Sequence, residues 1–187
     1  MGGNLGVRRF AVGPWGAGAP PSFDMAARPF KLDLMLHYFA YGANMRRSSM
    51  ARRCPGAEPV GPARLEGWRF AISRDGYATV LREAGATTHG VLWRLTERDL
   101  WALDAFERVA MGLYRKERLR VRAPDGARRA IVYVSRFVEP GVAVSGYMTE
   151  MVIPAALEWG LPEPYLAELG RFARGARGGP AAQGGFR

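Results

Sequence analysis

Six short stretches of strand character, most of them joined through turns and never in regular alternation with helices, constrain the fold of this chain most. They run over 34–41, Leu65–Ile72, Tyr77–Leu81, His89–Leu95, Tyr114–Val121 and Ala130–Val134. The last two flank Pro124-Asp125-Gly126, where proline presets φ and glycine tolerates a positive one. Helix signals are fewer: Arg46–Arg53, stopped by Cys54-Pro55-Gly56; Glu97–Arg108; Tyr147–Trp159, stopped by Gly160; and Pro164–Phe172. Strands that adjoin through short turns favour an α+β fold, a mixed and largely antiparallel sheet, curled or closed into a small barrel, with helices packed on it. Regular βαβ alternation is missing, which argues against a dinucleotide-binding domain.

The first strand raises a chemical question. Leu36 to Tyr41 alternates like a half-buried strand and runs straight into Gly42-Ala43-Asn44, so the chain turns sharply while its backbone N–H groups are left to find partners. Taken alone, such a turn is ordinary loop chemistry.

With 187 residues, 48% of them apolar, the chain can bury one substantial core. Residues 1–33 hold six Gly and four Pro without periodicity and read as a disordered leader. Residues 34–173 form a single domain in this reading, and 174–187 a disordered Gly/Arg-rich tail. The formal charge of +10 suggests nucleic acid until it is divided along the chain. The segment 34–171 carries 20 basic against 15 acidic residues, so half of the excess lies outside it. Lys116, Arg118, Arg120 and Arg122 share one strand face, yet no aromatic residue interleaves with them for base stacking; a solvated face is expected there, not nucleic-acid binding. No apolar run approaches the length of a membrane span, and Arg8-Arg9 leads into a Gly/Pro-rich segment in place of an apolar signal core, which points to the cytoplasm. The single cysteine, Cys54, excludes an internal disulfide and a multi-cysteine metal site and is expected to be a buried small residue; His37 and His89 leave little room for a zinc centre or a Ser-His-Asp arrangement. Trp93, Trp101 and Trp159 sit in apolar contexts and are expected in the core.

The most informative helix is TERDLWALDAFERV. Thr96 is an N-cap candidate, with Asp99 three residues on as a weaker form of the capping box. At 100° per residue, Glu107 falls about 20° from Leu100 and on the face shared with Leu103, so an inward-packed face carries its carboxylate into the core. Burial and the negative end of the helix dipole both raise the pKa of such a group, toward the range where it takes and gives a proton near neutral pH. The commoner fate of a glutamate there is an ion pair, with Arg108 or Arg115 as candidates.

The order of motifs along the chain adds a resemblance. Tyr38-Phe39-Ala40-Tyr41-Gly42-Ala43-Asn44-Met45 is followed by Met50-Ala51-Arg52-Arg53-Cys54-Pro55, Gly61-Pro62-Ala63-Arg64-Leu65-Glu66-Gly67-Trp68 and Gly90-Val91-Leu92-Trp93. Then come Leu103-Asp104-Ala105-Phe106-Glu107 with Tyr114 seven residues on, Ser145-Gly146-Tyr147, and Gly160-Leu161-Pro162 with Tyr165. In this order and spacing the chain resembles the γ-glutamylcyclotransferase-like family, whose turn typically reads Y-G-S-N and whose catalytic segment reads L-D-x-x-E. The resemblance implies the fold of that family and cleavage of a γ-glutamyl amide by internal attack of its α-amine, giving 5-oxoproline and a free amine without metal or cofactor. It implies Glu107 as general acid and base, the backbone of Tyr41, Gly42, Ala43 and Asn44 as a cradle for the glutamyl carboxylate, and Tyr114 and Tyr147 as pocket walls. Two residues depart from the pattern: Ala43 stands for the usual serine, and Arg108 stands where a glycine commonly follows the glutamate. They make the activity safer to transfer than the substrate. A cyclotransferase acting on γ-glutamylamines or on a biosynthetic intermediate stays open, as does a non-catalytic basic binding module. The expected partner is a small γ-glutamyl substrate, with no membrane; a homodimer is left open.

Overall fold

The twist of five strands closes the sheet on itself. The computed structural model describes residues 36–137 and 139–175; the expected leader, the start of the first expected strand and the tail from 176 onward lie outside them. Strands β1 (Leu36–Ala40), β2 (Glu58–Ile72), β3 (Ala78–Leu95), β4 (Tyr114–Ala123) and β5 (Gly126–Ser135) form a closed barrel in the order β1-β3-β2-β4-β5. Every neighbouring pair is antiparallel except β1 and β5, which run parallel, so the sheet is mixed and largely antiparallel as expected. Two seams are thin. β2 meets β4 at the single pair Arg64↔Arg122, and β1 meets β5 at the single pair Tyr38↔Ile131.

The longest ribbon is the least legible from sequence. β2 starts at Glu58, ahead of the expected Leu65, and β3 fuses two expected strands into one of 18 residues. Gly and Pro along these stretches read as breakers, yet here they sit at register shifts between Pro59 and Gly61 and between Glu66 and Trp68. Gly67, with φ of +77°, occupies the second shift, the conformation a β-bulge often hands to glycine. β1 is buried on both sides from Tyr38 to Ala40, so it is a fully buried barrel stave and not a half-exposed strand.

Four helices complete the described chain: α1 (Arg47–Arg53), α2 (Glu97–Phe106), α3 (Ile153–Glu158) and α4 (Glu163–Gly175). α2 opens with a full reciprocal capping box: the Asp99 N–H donates to Thr96 Oγ1 at 3.2 Å, and the Thr96 N–H donates to Asp99 Oδ2 at 3.0 Å. Asp99 Oδ1 also accepts from the Gly56 amide, tying α2 to the end of α1. Leu103 is the α2 residue sunk fully into the core, where Phe39, Met45, Met50, Phe70, Leu92 and Val132 are also buried. Trp93 is in the core and Trp159 packs edge-on against it at 5.9 Å, but Trp101 is 70% exposed and corrects the expectation for it. One residue past Leu100 turns a side chain through about 100°, from the packed stripe out to solvent. Lys116, Arg118, Arg120 and Arg122 form an exposed face, as expected. Cys54 is buried, and burial pushes its thiol up to about 11. Among the described residues no helix is long and apolar enough to cross a membrane.

Candidate active site

The turn after β1 is held from below. Ala43–Met45 forms a single 3-10 turn, closed by the Met45 N–H on Gly42 O at 3.0 Å and the Arg46 N–H on Ala43 O at 3.2 Å. The Trp159 indole donates to Met45 O at 2.7 Å and pins the turn to α3. Gly42 is required by space: a Cβ there would lie 2.8 Å from the Tyr147 hydroxyl. Tyr147 itself begins a π-helical turn, Tyr147–Val152, entered through Gly146 at φ +77°. Its hydroxyl oxygen accepts from the Ala78 amide at 3.3 Å and is also bonded to the Ala43 backbone; these bonds oppose burial, which pushes the phenol up to about 12.

A cavity of about 590 Å³ opens over this turn. All seven residues that the sequence singles out line it: Tyr41, Gly42, Ala43, Asn44, Glu107, Tyr114 and Tyr147. Six of the chain's seven tyrosines face it, Tyr38, Tyr77 and Tyr133 being the additions. The hydroxyls are mostly committed to the frame. Tyr41 donates to Tyr133 O, Tyr114 to Ala78 O at 3.0 Å, and Tyr133 to Asp104 Oδ1 at 2.6 Å, whose second oxygen takes Lys116 at 2.7 Å. Burial raises all of these phenols above their ordinary range, so the wall stays uncharged near neutral pH.

Glu107 does not sit in the last turn of α2; it is the C-cap just past Phe106, its N–H still donating to Leu103 O at 2.8 Å. The next residue, Arg108, adopts the left-handed conformation at φ +50°, the one positive φ of a non-glycine residue among those described. That φ explains why glycine suits this position. The reversal ends the helix and leaves the Glu107 carboxylate facing the cavity, where desolvation raises its pKa to about 7 against a partial opposing pull from Arg53 and Asn44. Neither Arg108 nor Arg115 pairs with it; Arg115 bonds Glu117 instead. The partner is the buried Asn44, whose Nδ2 donates to Glu107 Oε1 at 3.0 Å and to the Tyr38 hydroxyl at 3.0 Å. Asn44 Oδ1 in turn accepts from Arg53 Nη1.

Arg53, Tyr38 and Tyr133 are the members that residue patterns miss. Tyr133 lies in the apolar run Ala130–Val134 and reads as core, while Arg53 is nine residues from Asn44 with no period linking them. The one signal for Tyr38 and Arg53 is membership of the ordered motifs, which assign them no role; Tyr133 lies outside those motifs.

A second cavity, about 610 Å³, is lined by Pro62, Arg64, His89, Arg122, Pro124 and Leu161 among others, beside the thin β2–β4 seam. Its two arginines both bond Glu66, Arg64 at 3.1 Å and Arg122 at 2.7 Å. No carboxylate lines it. Of these two cavities, only the first is lined by a desolvated acid.

Residues 38–147 match the family described as gamma-glutamyl cyclotransferase, AIG2-like. The chain is 26% identical over 142 residues to a gamma-glutamylcyclotransferase of Bos taurus, a match covering 71% of this chain and 76% of that protein. Among solved structures it is similar to a gamma-glutamyl cyclotransferase at 25% identity and a TM-score of 0.67, covering 72% of this chain and 86% of the other. It is also similar to YkqA from Bacillus subtilis at 26% identity and a TM-score of 0.65, covering 75% of this chain and 55% of that one.

Proposed function

Because the chain belongs to the gamma-glutamyl cyclotransferase, AIG2-like family, we propose that it is a cyclotransferase that cleaves a γ-glutamyl amide into 5-oxoproline and a free amine, with Glu107 as general acid and base. One observation carries the proposal: a carboxylate with its pKa near 7 faces a cavity lined by the glycine-containing turn that follows β1. Nucleophile and electrophile belong to one substrate, so the protein's task is to hold a folded conformer and to move protons.

The backbone turn over Gly42–Asn44 receives the α-carboxylate of the glutamyl group, and Gly42 keeps the space above it open. The substrate's α-ammonium then faces Glu107, whose carboxylate takes one of its protons. The freed amine attacks the γ-carbonyl carbon; a C–N bond forms, the amide C–N bond breaks, and Glu107 returns its proton to the departing nitrogen. A second proton leaves the attacking nitrogen as the lactam forms and ends on the released amine. Charge balances: a zwitterionic glutamyl group becomes the 5-oxoproline carboxylate and an ammonium. A base with a pKa near the working pH suits both halves of this exchange. The tyrosine wall, neutral and internally bonded, excludes water without competing for the proton.

The test is mass-spectrometric detection of 5-oxoproline after incubation with a panel of γ-glutamyl amino acids and γ-glutamylamines. Glu107→Gln is expected to lower release by a factor on the order of 10²–10⁴ while circular dichroism stays native. Turnover retained by the variant would remove Glu107 from the chemistry. The compound turned over fastest by the native chain would define the substrate.

A further inference from the structure

Arg53 ends α1, and its guanidinium is partly withdrawn from water, which lowers its proton affinity, yet it forms no ion pair among the described residues. An arginine in that position ordinarily takes a carboxylate directly. Here the nearest candidate, Glu107, is one step away, and the Asn44 carboxamide stands between them. The other contact of the guanidinium is over an aromatic ring: its central carbon lies 3.3 Å from the ring centroid of Phe106, the residue that immediately precedes Glu107. Arg53 thus holds both the amide that touches the acid and the side chain next to the acid in the chain.

A carboxamide has two ends of opposite character, and nothing in its shape decides which end faces a neighbour. Facing Glu107 with Nδ2, Asn44 donates and favours the carboxylate; turned over, it would present Oδ1, which repels a carboxylate and accepts from a carboxylic acid. A guanidinium can only donate, so it admits Oδ1 and excludes Nδ2. We propose that Arg53 is a positioning residue of this site: bonded to Asn44 Oδ1 and stacked on Phe106, it locks the Asn44 carboxamide in the orientation that donates to Glu107. The inference rests on Glu107 being the acid and base of the reaction. It gives a reason for the unusual arrangement, since a direct Arg53–Glu107 pair would hold the glutamate ionised and unable to return a proton. Through the amide, the positive charge orients the acid and only tempers its burial.

The experiment compares pH profiles of kcat/KM for the native chain, Arg53→Met and Arg53→Lys on the γ-glutamyl compound that the native chain turns over fastest. Loss of the lock removes a donor and a charge that favour the carboxylate, so the acid limb moves to higher pH. The expected movement is about one pH unit in Arg53→Met. It is smaller in Arg53→Lys, where an ammonium still prefers Oδ1 but cannot stack flat on Phe106. An acid limb at its native position in either folded variant overturns the proposal, whatever happens to kcat, because a purely structural role would lower rate or stability without moving it. Arg53→Lys keeps the test decisive if Arg53→Met does not fold. Glu107→Gln run in the same assay separates the two claims. A turning-over Glu107→Gln overturns the proposed chemistry, whereas an inactive one beside an unshifted Arg53 series overturns only the positioning role.

Discussion

Glu66 and Glu107 each have arginine within reach, and the two sites make opposite use of it. Glu66 lies on the barrel surface, clamped at both oxygens by Arg64 and Arg122 across the β2–β4 seam, and these bonds hold its carboxyl below the ordinary range. Glu107 lies against a cavity, is bonded to Asn44 with Arg53 behind it, and is pushed up to about 7 by desolvation. Proximity to positive charge is common to both, so it does not set the outcome. What differs is water and the number of atoms between the charges: an exposed acid in direct contact becomes a fixed anion, while a desolvated acid reached through an amide keeps an exchangeable proton.

The contrast breaks most visibly at the acid itself. Glu107→Gln is expected to lower 5-oxoproline release by a factor on the order of 10²–10⁴, the usual worth of a general acid–base group, measured by mass spectrometry at pH 7. The same variant sharpens the contrast thermodynamically. A folded-state pKa near 7 lies above the unfolded glutamate value, so the folded chain favours the protonated form. The stability this confers is complete below about pH 4.5 and is lost as pH rises through 7. Denaturant titrations should show Glu107→Gln gaining on the native chain between those limits, by at most about 3 kcal/mol at pH 8; parallel curves would mean that the acid is not strained by burial.

Arg108 provides a smaller test, because it neighbours Glu107 in sequence but does not bond it. Arg108→Gly relieves a left-handed φ and is expected to stabilise the fold by about 0.5–1 kcal/mol in chemical denaturation. It should leave the acid limb of the pH profile in place; a limb that moved would bring Arg108 into the electrostatics of the site. The smallest effect is expected at Glu66. Glu66→Gln unclamps two exposed arginines and should change neither turnover nor its pH dependence in the same assay.

Much of this architecture is legible in the sequence, for local reasons. Pro124-Asp125-Gly126 sets the β4–β5 hairpin, the Thr96 and Asp99 spacing sets the start of α2, and period-two alternation sets β4. Glu107 is legible because helical geometry carries it toward Leu100 and Leu103, although the chain stops the helix one residue short of it and aims it with a left-handed Arg108 instead. Long-range pairing hides the rest. The full length of the β2–β3 ribbon depends on bulges that absorb Gly61 and Gly67, which look like strand ends in isolation. Arg53 meets Asn44 only once α1 folds back beside the turn, so no spacing announces it. Trp101 shows the converse error, since an apolar neighbourhood in sequence does not decide which way a helical side chain faces.

The two single-pair seams described for the barrel carry a kinetic consequence. A cylinder stitched by long ladders on three sides and by one rung on each of the other two will breathe along those lines first. In deuterated water the amides flanking Arg64, Arg122, Tyr38 and Ile131 should exchange ahead of the β2–β3 and β4–β5 ladders. Tyr38 belongs to the cavity wall as well as to one seam, so transient parting there would loosen the lining of the pocket without unfolding the helices around it.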